Sequence, residues 1–277
     1  MTTTRFSEAH YDTIVCDKPA AHVARITLNR PDKMNAYTFA MTQELQSAIG
    51  AYRDDDDLRV LIVTGAGERA FCTGGDLSGA DAEHSARVRN QPMGQGREMR
   101  DGMQAVVGAL KRLDKPSIAL VRGYAVAGGL ALALGCDIRI ASESAKLGDT
   151  SGRAGLLPDE GGAWLFPEIM GLDRALKMSW LQEIYGAKRA AELGLVTEVV
   201  ADDEIEAHVL RLAETLASRA PLAVRLVKMM MTRAANVTLE DSFVDAQMAV
   251  MITNPSADVR EGVRAFQEKR APKFEGR

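Results

Sequence analysis

Two short apolar runs place the strongest constraint on how this chain can fold. Residues 60–63 and 118–121 are apolar in succession, without the polar alternation of a strand that has one wet face. Such runs are typical of strands that are covered on both faces. An apolar helical pattern at residues 103–113 lies between them, and a strand, a helix and a second strand in succession indicate parallel pairing. We therefore expect an α/β fold with parallel strands between layers of helices.

The two ends of the chain follow different patterns. Residues 13–16 and 22–28 flank a short turn, and the second run alternates as a half-buried strand does, which predicts a hairpin. From about residue 200 the apolar spacing is helical, and these helices carry more apolar surface than a lone tail should expose. We divide the chain into a flexible N-terminal extension at 1–10, a core at 11–200 and a helical oligomerisation region at 201–277, which should pack on another subunit.

Charge and cysteine content argue against several classes of function. The formal net charge of −4 at pH 7 gives no basic footprint of the kind that binds nucleic acid. No run approaches the roughly 20 apolar residues that cross a bilayer, so we expect no membrane partner and a cytoplasmic location. The three cysteines, Cys16, Cys72 and Cys136, lack metal-ligand spacing, which predicts free thiols and no metal site.

Glycine-rich turns follow the two buried runs. The first, at residues 64–70, matches a dinucleotide-binding fingerprint, but Gly74 and Gly75 stand where that motif requires a helix, so we interpret it as a tight strand exit. In the second, Gly128 and Gly129 precede an apolar helical run. Backbone N–H groups at a helix N-terminus lack intrahelical partners and lie at the positive end of the helix dipole, so they can hold an oxyanion. Close packing of a helix against a strand would equally explain these glycines.

Seven motifs in a fixed order carry a family resemblance that covers the chain from about Tyr11 onward. They are ITLNRP at 26–31 with Asn35-Ala36, AFCTGGDL at 70–77, KPS at 115–117 leading to GYA at 123–125 and Gly128-Gly129, Cys136-Asp137, GLLPD at 155–159 with Gly161-Gly162, AAELGLV at 190–196, and EGVRAFQEKRAPKF at 261–274. The series resembles the crotonase superfamily, which is the enoyl-CoA hydratase/isomerase family.

The resemblance implies both a fold and a reaction. The fold is an α/β spiral of repeated strand-strand-helix turns with a C-terminal helical trimerisation region, assembled as a homotrimer or a dimer of trimers. The partner is an acyl-CoA substrate, and no cofactor is implied, because CoA enters as part of that substrate. Family members polarise the thioester C=O between two peptide N–H groups and stabilise an enolate; by position these donors are the N–H groups of Gly75 and Gly128.

By position, the resemblance also implies residues that contact the CoA thioester. These are Lys33, Met34 and Ala36 on one side, Ala70, Gly74, Asp76 and Leu77 on the facing loop, Tyr124, and Phe266 and Lys269 of the last helix. The last two would complete the nucleotide pocket, from the same subunit or from a neighbouring one. Each also has a structural explanation, since Phe266 lies on an apolar helical stripe and Lys269 stands at a helix end.

The chain departs from the family pattern at both glutamates that activate water in hydratases. By position they correspond to Ala131 and Ser151, neither of which is a carboxylate. Two acids stand nearby, Asp159 and Glu160. In the family, an acid at the position of Asp159 is a proton shuttle in some isomerases and a nucleophile in a dehalogenase branch. The structural alternative is that Asp159 caps the helix that begins near Gly161.

We therefore predict proton transfer at Cα and Cγ by Asp159, or alternatively by Glu160, with the enolate held by Gly75 and Gly128. This favours double-bond isomerisation or a related proton transfer. Three alternatives stay open at this point: an enoyl-CoA hydratase with a non-standard base, an acyl-CoA hydrolase or dehalogenase in which Asp159 attacks, and a protein that binds acyl-CoA without catalysis.

Overall fold

The computed structural model describes Phe6 and residues 10–79 and 81–277. The predicted extension at 1–10 lies outside these residues apart from Phe6 and His10. The strands of the described part are β1 (Ile14–Ala20), β2 (Val23–Leu28), β3 (Val60–Gly65), β4 (Ala70–Cys72), β5 (Ser117–Val121), β6 (Tyr124–Val126), β7 (Ile138–Ser142), β8 (Lys146–Gly148), β9 (Ile184–Gly186) and β10 (Glu198–Val200).

Helices alternate with these strands and then make up the rest of the chain. They are α1 (Phe39–Asp54), α2 (Ala82–Arg89), α3 (Gly94–Asp101), α4 (Met103–Arg112), α5 (Gly128–Gly135), α6 (Gly162–Met170), α7 (Leu172–Leu181), α8 (Ala187–Glu192), α9 (Ile205–Ala217), α10 (Pro221–Ala234), α11 (Leu239–Thr253) and α12 (Ala257–Glu268). Short 3-10 helices occur at Pro31–Lys33 and Ser151–Ala154. Among the described residues, none of the helices is both long and apolar enough to cross a bilayer.

The strands form two sheets, in which most neighbouring strands are parallel. One sheet has the order β1-β2-β3-β5-β7-β10 and the other the order β4-β6-β8-β9. The predicted hairpin is confirmed by the antiparallel pairing of β1 with β2, and the buried runs lie in β3 and β5, which pair in parallel. In each of three successive turns the first strand joins the larger sheet and the second joins the smaller one. The predicted α/β spiral is therefore confirmed.

The two buried runs are apolar throughout because helices cover both faces of the larger sheet. On one face, Ile62 of β3 packs in a cluster with Val209 of α9. On the other face, Leu61 of β3 belongs to the main core with Leu45 of α1 and Leu110 of α4. Successive side chains of a strand point to opposite faces, so each run must be apolar at every position.

The C-terminal helical region is present, and much of its apolar surface is exposed. In the single chain the exposed large side chains of α10 and α11 are Val227, Met229, Met231, Leu239, Phe243, Val244, Met248, Val250, Met251 and Ile252. A patch of this kind marks an interaction surface in most proteins. Packing of this region on another subunit stays a prediction.

Candidate active site

The two glycine segments lie side by side because the strands before them are neighbours. β4 pairs in parallel with β6, so both segments leave the same edge of the smaller sheet. A Cβ atom added to Gly74 would lie 3.4 Å from the backbone N of Gly128. The sheet therefore brings together the segments that carry Gly75 and Gly128, the predicted oxyanion donors.

Within the part of the chain that the structure describes, both predicted donor N–H groups are free of protein acceptors. Tyr37 and Gly75 form a parallel bridge in which Tyr37 N donates to Gly74 O at 2.9 Å and Asp76 N donates to Tyr37 O at 2.9 Å. In a parallel bridge of this kind the paired residue, Gly75, directs its own N–H away from the partner strand. Gly128 is the first residue of α5, where N–H groups have no intrahelical acceptor. In the described residues neither N–H donates to a backbone acceptor, so each is available to a ligand oxygen.

Gly128 and Gly129 are glycines for different reasons. A Cβ on Gly128 would lie 2.3 Å from Oε1 of Glu160 and 2.8 Å from Cε1 of Tyr37, so this glycine opens the site. A Cβ on Gly129 would lie 2.0 Å from the backbone O of Cys72, so this one lets α5 pack against β4. Ligand approach and close packing, which the sequence left as alternatives, thus each explain one glycine.

The residue before α5 has a strained backbone. Ala127 has φ 50° and ψ −128°, a conformation that favours glycine. Its N–H donates to Gly148 O at 3.1 Å, which helps to hold it there. Strain that the surrounding structure maintains is characteristic of functional sites.

Glu160 is the acid that faces the glycines. Its side chain is buried, and Oε1 accepts a hydrogen bond of 2.6 Å from the Tyr37 hydroxyl. Its second oxygen, Oε2, is buried and has no hydrogen-bond partner in the part of the chain that is described. Burial raises the pKa of Glu160 to about 7, the neighbouring charge of Asp159 raises it further, and the hydrogen bond from Tyr37 acts in the opposite direction. A carboxyl group with such a pKa can exchange a proton near neutral pH.

Asp159 has a different environment from its neighbour. It is exposed, and its backbone O accepts a 2.8 Å hydrogen bond from Nε2 of Gln104. The N-cap of α6 is Gly161 and no side chain caps that helix, so Asp159 does not have the capping role that was its structural alternative. The chain therefore buries the Glu160 carboxyl group beside Gly128 and leaves Asp159 exposed, while the catalytic roles of both acids stay predictions.

The two positions of the hydratase glutamates carry no acid, but one of them has a carboxylate beside it. Ala131 is fully buried in α5. At the other position, Ser151 donates to Oδ1 of the buried Asp149 from its backbone N at 3.0 Å and from its hydroxyl at 2.7 Å. Asp149 therefore stabilises the turn that opens the 3-10 helix at Ser151–Ala154.

Most of the predicted CoA contacts lie in two adjoining segments. Ala36 is buried next to the Tyr37–Gly75 bridge, and the Thr73 hydroxyl donates to Met34 O at 3.3 Å. Ala70 and Tyr124 are partners between β4 and β6. Lys33 and Leu77 are exposed at the outer ends of the two segments. The structure thus brings together eight of the predicted positions, which are Lys33, Met34, Ala36, Ala70, Gly74, Asp76, Leu77 and Tyr124.

Asp76 has a structural role that the sequence did not indicate. Its carboxylate accepts hydrogen bonds from Nη2 of Arg30 at 2.7 Å and from the N of Ser78 at 2.8 Å. Although desolvation opposes the shift, hydrogen bonds from Ser78 and Arg30 lower the pKa of Asp76 to about 2. Arg30 also donates to Ala36 O at 2.6 Å, so this ion pair ties the two segments together.

Phe266 and Lys269 belong to the last helix, α12. Phe266 is 86% exposed on α12, and Lys269 is the C-cap of that helix with φ 53°. No hydrogen bond or ion pair between described residues joins either side chain to the segments at 33–36 or 70–77. A contribution of these two residues to a nucleotide pocket stays a prediction.

Tyr37 is the site residue that sequence reasoning missed. Its signal in the sequence was weak, because an aromatic residue after Asn35-Ala36 is explained equally well by packing. Its contact with Glu160 joins positions separated by 123 residues, which no local pattern can reveal.

Known proteins resemble this chain over most of its length. Residues 18–277 match the family model described as enoyl-CoA hydratase/isomerase. The chain is 36% identical over 255 residues to the (E)-benzylidenesuccinyl-CoA hydratase of Thauera aromatica, across 92% of this chain and 96% of that protein. It is 35% identical over 255 residues to the 1,2-epoxyphenylacetyl-CoA isomerase of Escherichia coli strain K12, across 92% and 95%. A solved structure of an enoyl-CoA hydratase from Bacillus anthracis is similar with a TM-score of 0.87 and 33% identity, across 96% of this chain and 100% of that one.

Proposed function

Because the chain belongs to the enoyl-CoA hydratase/isomerase family, a family of lyases and isomerases, we propose that it is an isomerase that moves a double bond in an acyl-CoA thioester. The observation that carries this proposal is the buried carboxyl group of Glu160 beside Gly128. It puts a group with a pKa of about 7 next to the N–H groups that would hold the thioester oxygen.

In the proposed reaction the thioester oxygen accepts hydrogen bonds from the N–H groups of Gly75 and Gly128. The carboxylate of Glu160 takes a proton from Cα of a β,γ-unsaturated ester, and the electrons of that C–H bond move toward the thioester oxygen to form a dienolate. The same carboxyl group, whose proton can exchange with solvent, then delivers a proton to Cγ, which leaves the α,β-unsaturated isomer. Loss of one oxyanion donor typically costs about 3–4 kcal/mol of transition-state stabilisation, so these two N–H groups can carry much of the catalysis.

Isomerisation is favoured over hydration because Ala131 and Ser151 stand where the hydratase glutamates would lie. Hydration is the second candidate, and the specific support for it is the similarity to a hydratase that acts on (E)-benzylidenesuccinyl-CoA. In that case Glu160 would activate the water molecule. The names of both relatives contain aromatic acyl groups, so aromatic thioesters belong among the substrates to be tested.

Three further proposals concern the CoA site, the assembly and the location, and the family resemblance supports the first two. The CoA part of the substrate lies along Met34, Ala36 and the facing loop at 70–77, with no other cofactor. The protein is a homotrimer or a dimer of trimers, in which Phe266 and Lys269 reach the nucleotide from a neighbouring subunit. Its location is cytoplasmic.

The test is turnover of a panel of CoA thioesters in deuterated water, followed by mass spectrometry. The panel contains crotonyl, β,γ-enoyl, dienoyl and aromatic esters, and the variants Glu160→Gln and Asp159→Asn form a matched pair of adjacent acids. We expect double-bond migration with deuterium uptake by the wild-type protein and by Asp159→Asn, and a loss of at least about 100-fold in Glu160→Gln, because general acid–base groups typically contribute 10²–10⁴-fold.

Each other outcome selects a different function. Net addition of water by the wild-type protein would establish the hydratase instead. Loss of activity in Asp159→Asn but not in Glu160→Gln would move the base to Asp159, and a covalent acyl- or aryl-enzyme on Asp159 would indicate a hydrolase or dehalogenase. Binding of the esters without any reaction would overturn the proposal.

A further inference from the structure

Tyr37 lies against both predicted oxyanion donors and against Glu160. Its main chain is hydrogen-bonded to Gly74 and Asp76, on either side of the donor Gly75. Its ring lies 3.7 Å from the position of a Cβ on Gly75 and 2.8 Å from that of a Cβ on Gly128. Its hydroxyl donates to Oε1 of Glu160 at 2.6 Å. One residue therefore sets the spacing between both oxyanion donors and the acid.

The hydrogen bond also divides the two oxygens of Glu160 between different tasks. A glutamate side chain has several rotatable bonds, so without a fixed partner its carboxyl group would sample several positions. Oε1 is held by Tyr37, whereas Oε2 is buried and has no partner within the described residues. A buried oxygen that accepts no hydrogen bond has its lone pairs available for a proton.

We propose that Tyr37 is a positioning residue for the reaction, which holds Oε1 of Glu160 beside Gly128 and leaves Oε2 as the oxygen that takes the substrate proton. This inference rests on the proposed function, in which Glu160 is the base. Tyr37 itself does not transfer the proton.

A positioning role for Tyr37 changes the pKa of Glu160, which simple packing of the aromatic ring would not do. A hydroxyl that donates to a carboxylate stabilises the charged form and lowers the pKa of the acid. Removal of the hydroxyl should raise the pKa of Glu160 from about 7 by roughly one unit, since a hydrogen bond to a charged group is worth about that much. A base works only when it is ionised, so activity falls as pH falls through this pKa, and the acid limb of the pH profile should move upward. At pH 7 the ionised fraction would drop about fivefold.

The experiment compares Tyr37→Phe with the matched control Tyr185→Phe. Tyr185 also donates its hydroxyl to a glutamate, Glu183, but on β9, and both variants keep the aromatic ring. We expect the acid limb of kcat/KM in Tyr37→Phe to move up by about one pH unit, with a lower kcat and a nearly constant KM. The profile of Tyr185→Phe should match the wild type. An unmoved acid limb in Tyr37→Phe, or an equal shift in both variants, would overturn the inference.

A titration that does not depend on turnover separates this inference from the proposed function. In protein labelled with ¹³C at glutamate carboxyl groups, the Glu160 signal is the one that is missing in Glu160→Gln. Its midpoint should rise in Tyr37→Phe, and should fall when residue 37 is a ring-fluorinated tyrosine, whose hydroxyl is a stronger donor. Unchanged midpoints would refute the role of Tyr37. Absence of any reaction with the wild-type protein would refute the proposed function, while the titration would still decide whether Tyr37 holds Glu160.

Discussion

Gly128→Ala should remove most of the activity and leave the protein folded. The added Cβ would lie 2.3 Å from Oε1 of Glu160, about 1 Å short of an ordinary contact of 3.4 Å. The carboxyl group is the end of a flexible side chain, so it can move away, whereas the backbone of α5 is fixed by the sheet beneath it. The substitution therefore displaces the proposed base by about 1 Å and presses on the ring of Tyr37.

The structure sets the size of both effects. A misplacement of about 1 Å at a reacting group can cost about 100-fold in rate, so we expect kcat/KM to fall by at least that factor. Alanine forms helices more readily than glycine by up to about 1 kcal/mol, and Gly128 does not need a positive φ. Crowding of the Tyr37 ring acts in the opposite direction, and because overpacking typically costs about 1–3 kcal/mol, the free energy of unfolding should fall by no more than about 3 kcal/mol.

Two other glycines provide the controls. Gly129→Ala should lower the melting temperature sharply, because its Cβ would lie 2.0 Å from the backbone O of Cys72, which cannot move without displacing β4. Gly50→Ala in α1 meets no atom within 4 Å and should be neutral or slightly stabilising. The assays are calorimetry and turnover of the best substrate of the panel. A folded Gly128→Ala variant with more than half of the wild-type activity would refute the reasoning, and so would unfolding as severe as that of Gly129→Ala.

Two further predictions concern stability and follow from shifted carboxyl pKa values. Burial raises the pKa of Glu160 to about 7, so the contribution of this group to stability is complete below its unfolded pKa near 4.5 and is lost as pH rises through about 7. Measured by calorimetry, Glu160→Gln should therefore have a higher Tm than the wild type at pH 8 and the same Tm at pH 4. Equal Tm values at pH 8 would contradict this. Desolvation opposes the shift, but hydrogen bonds from Ser78 and Arg30 lower the pKa of Asp76 to about 2, so the contribution of this group to stability is present above pH of about 4 and is lost as pH falls through about 2. Asp76→Asn should therefore lower Tm at pH 7. A difference in Tm from the wild type that did not shrink toward pH 2 would count against this.

The larger strands and helices could be predicted because burial leaves a periodic trace in the sequence. The run in β3 is apolar at every position since α1 and α4 cover one face and α9 the other. By contrast, β4, β6, β8, β9 and β10 have three residues each, too few to show a period, and the pattern alone did not predict them. The smaller sheet, which positions the glycines, consists of such strands and was implied only by the family resemblance.

The site could be predicted in part for a related reason. Gly75 and Gly128 could be predicted because each belongs to a short glycine motif that follows a strand and is contiguous in the sequence. Which of two adjacent acids faces the glycines was not visible, since it depends on the turn before α6, where Gly161 has φ 123°. Glu160 is buried beside Gly128 whereas Asp159 is exposed, and a difference of this kind between adjacent acids has no trace in residue type.

The place of Glu160 beside Gly128 also explains how a buried acid can have a pKa near neutrality and still serve as the base in the proposed reaction. Proton removal from Cα transfers one negative charge from the carboxylate to the thioester oxygen. Glu160 lies next to the N-terminus of α5, and the proposed enolate oxygen accepts from the N–H of the same first residue, Gly128. The positive end of the helix dipole therefore faces a negative charge before and after the step. The surrounding dipoles therefore need little reorientation during the step. Burial destabilises the Glu160 carboxylate, whereas the enolate oxygen would accept two backbone hydrogen bonds, so the site favours transfer of the charge from the carboxylate to the enolate.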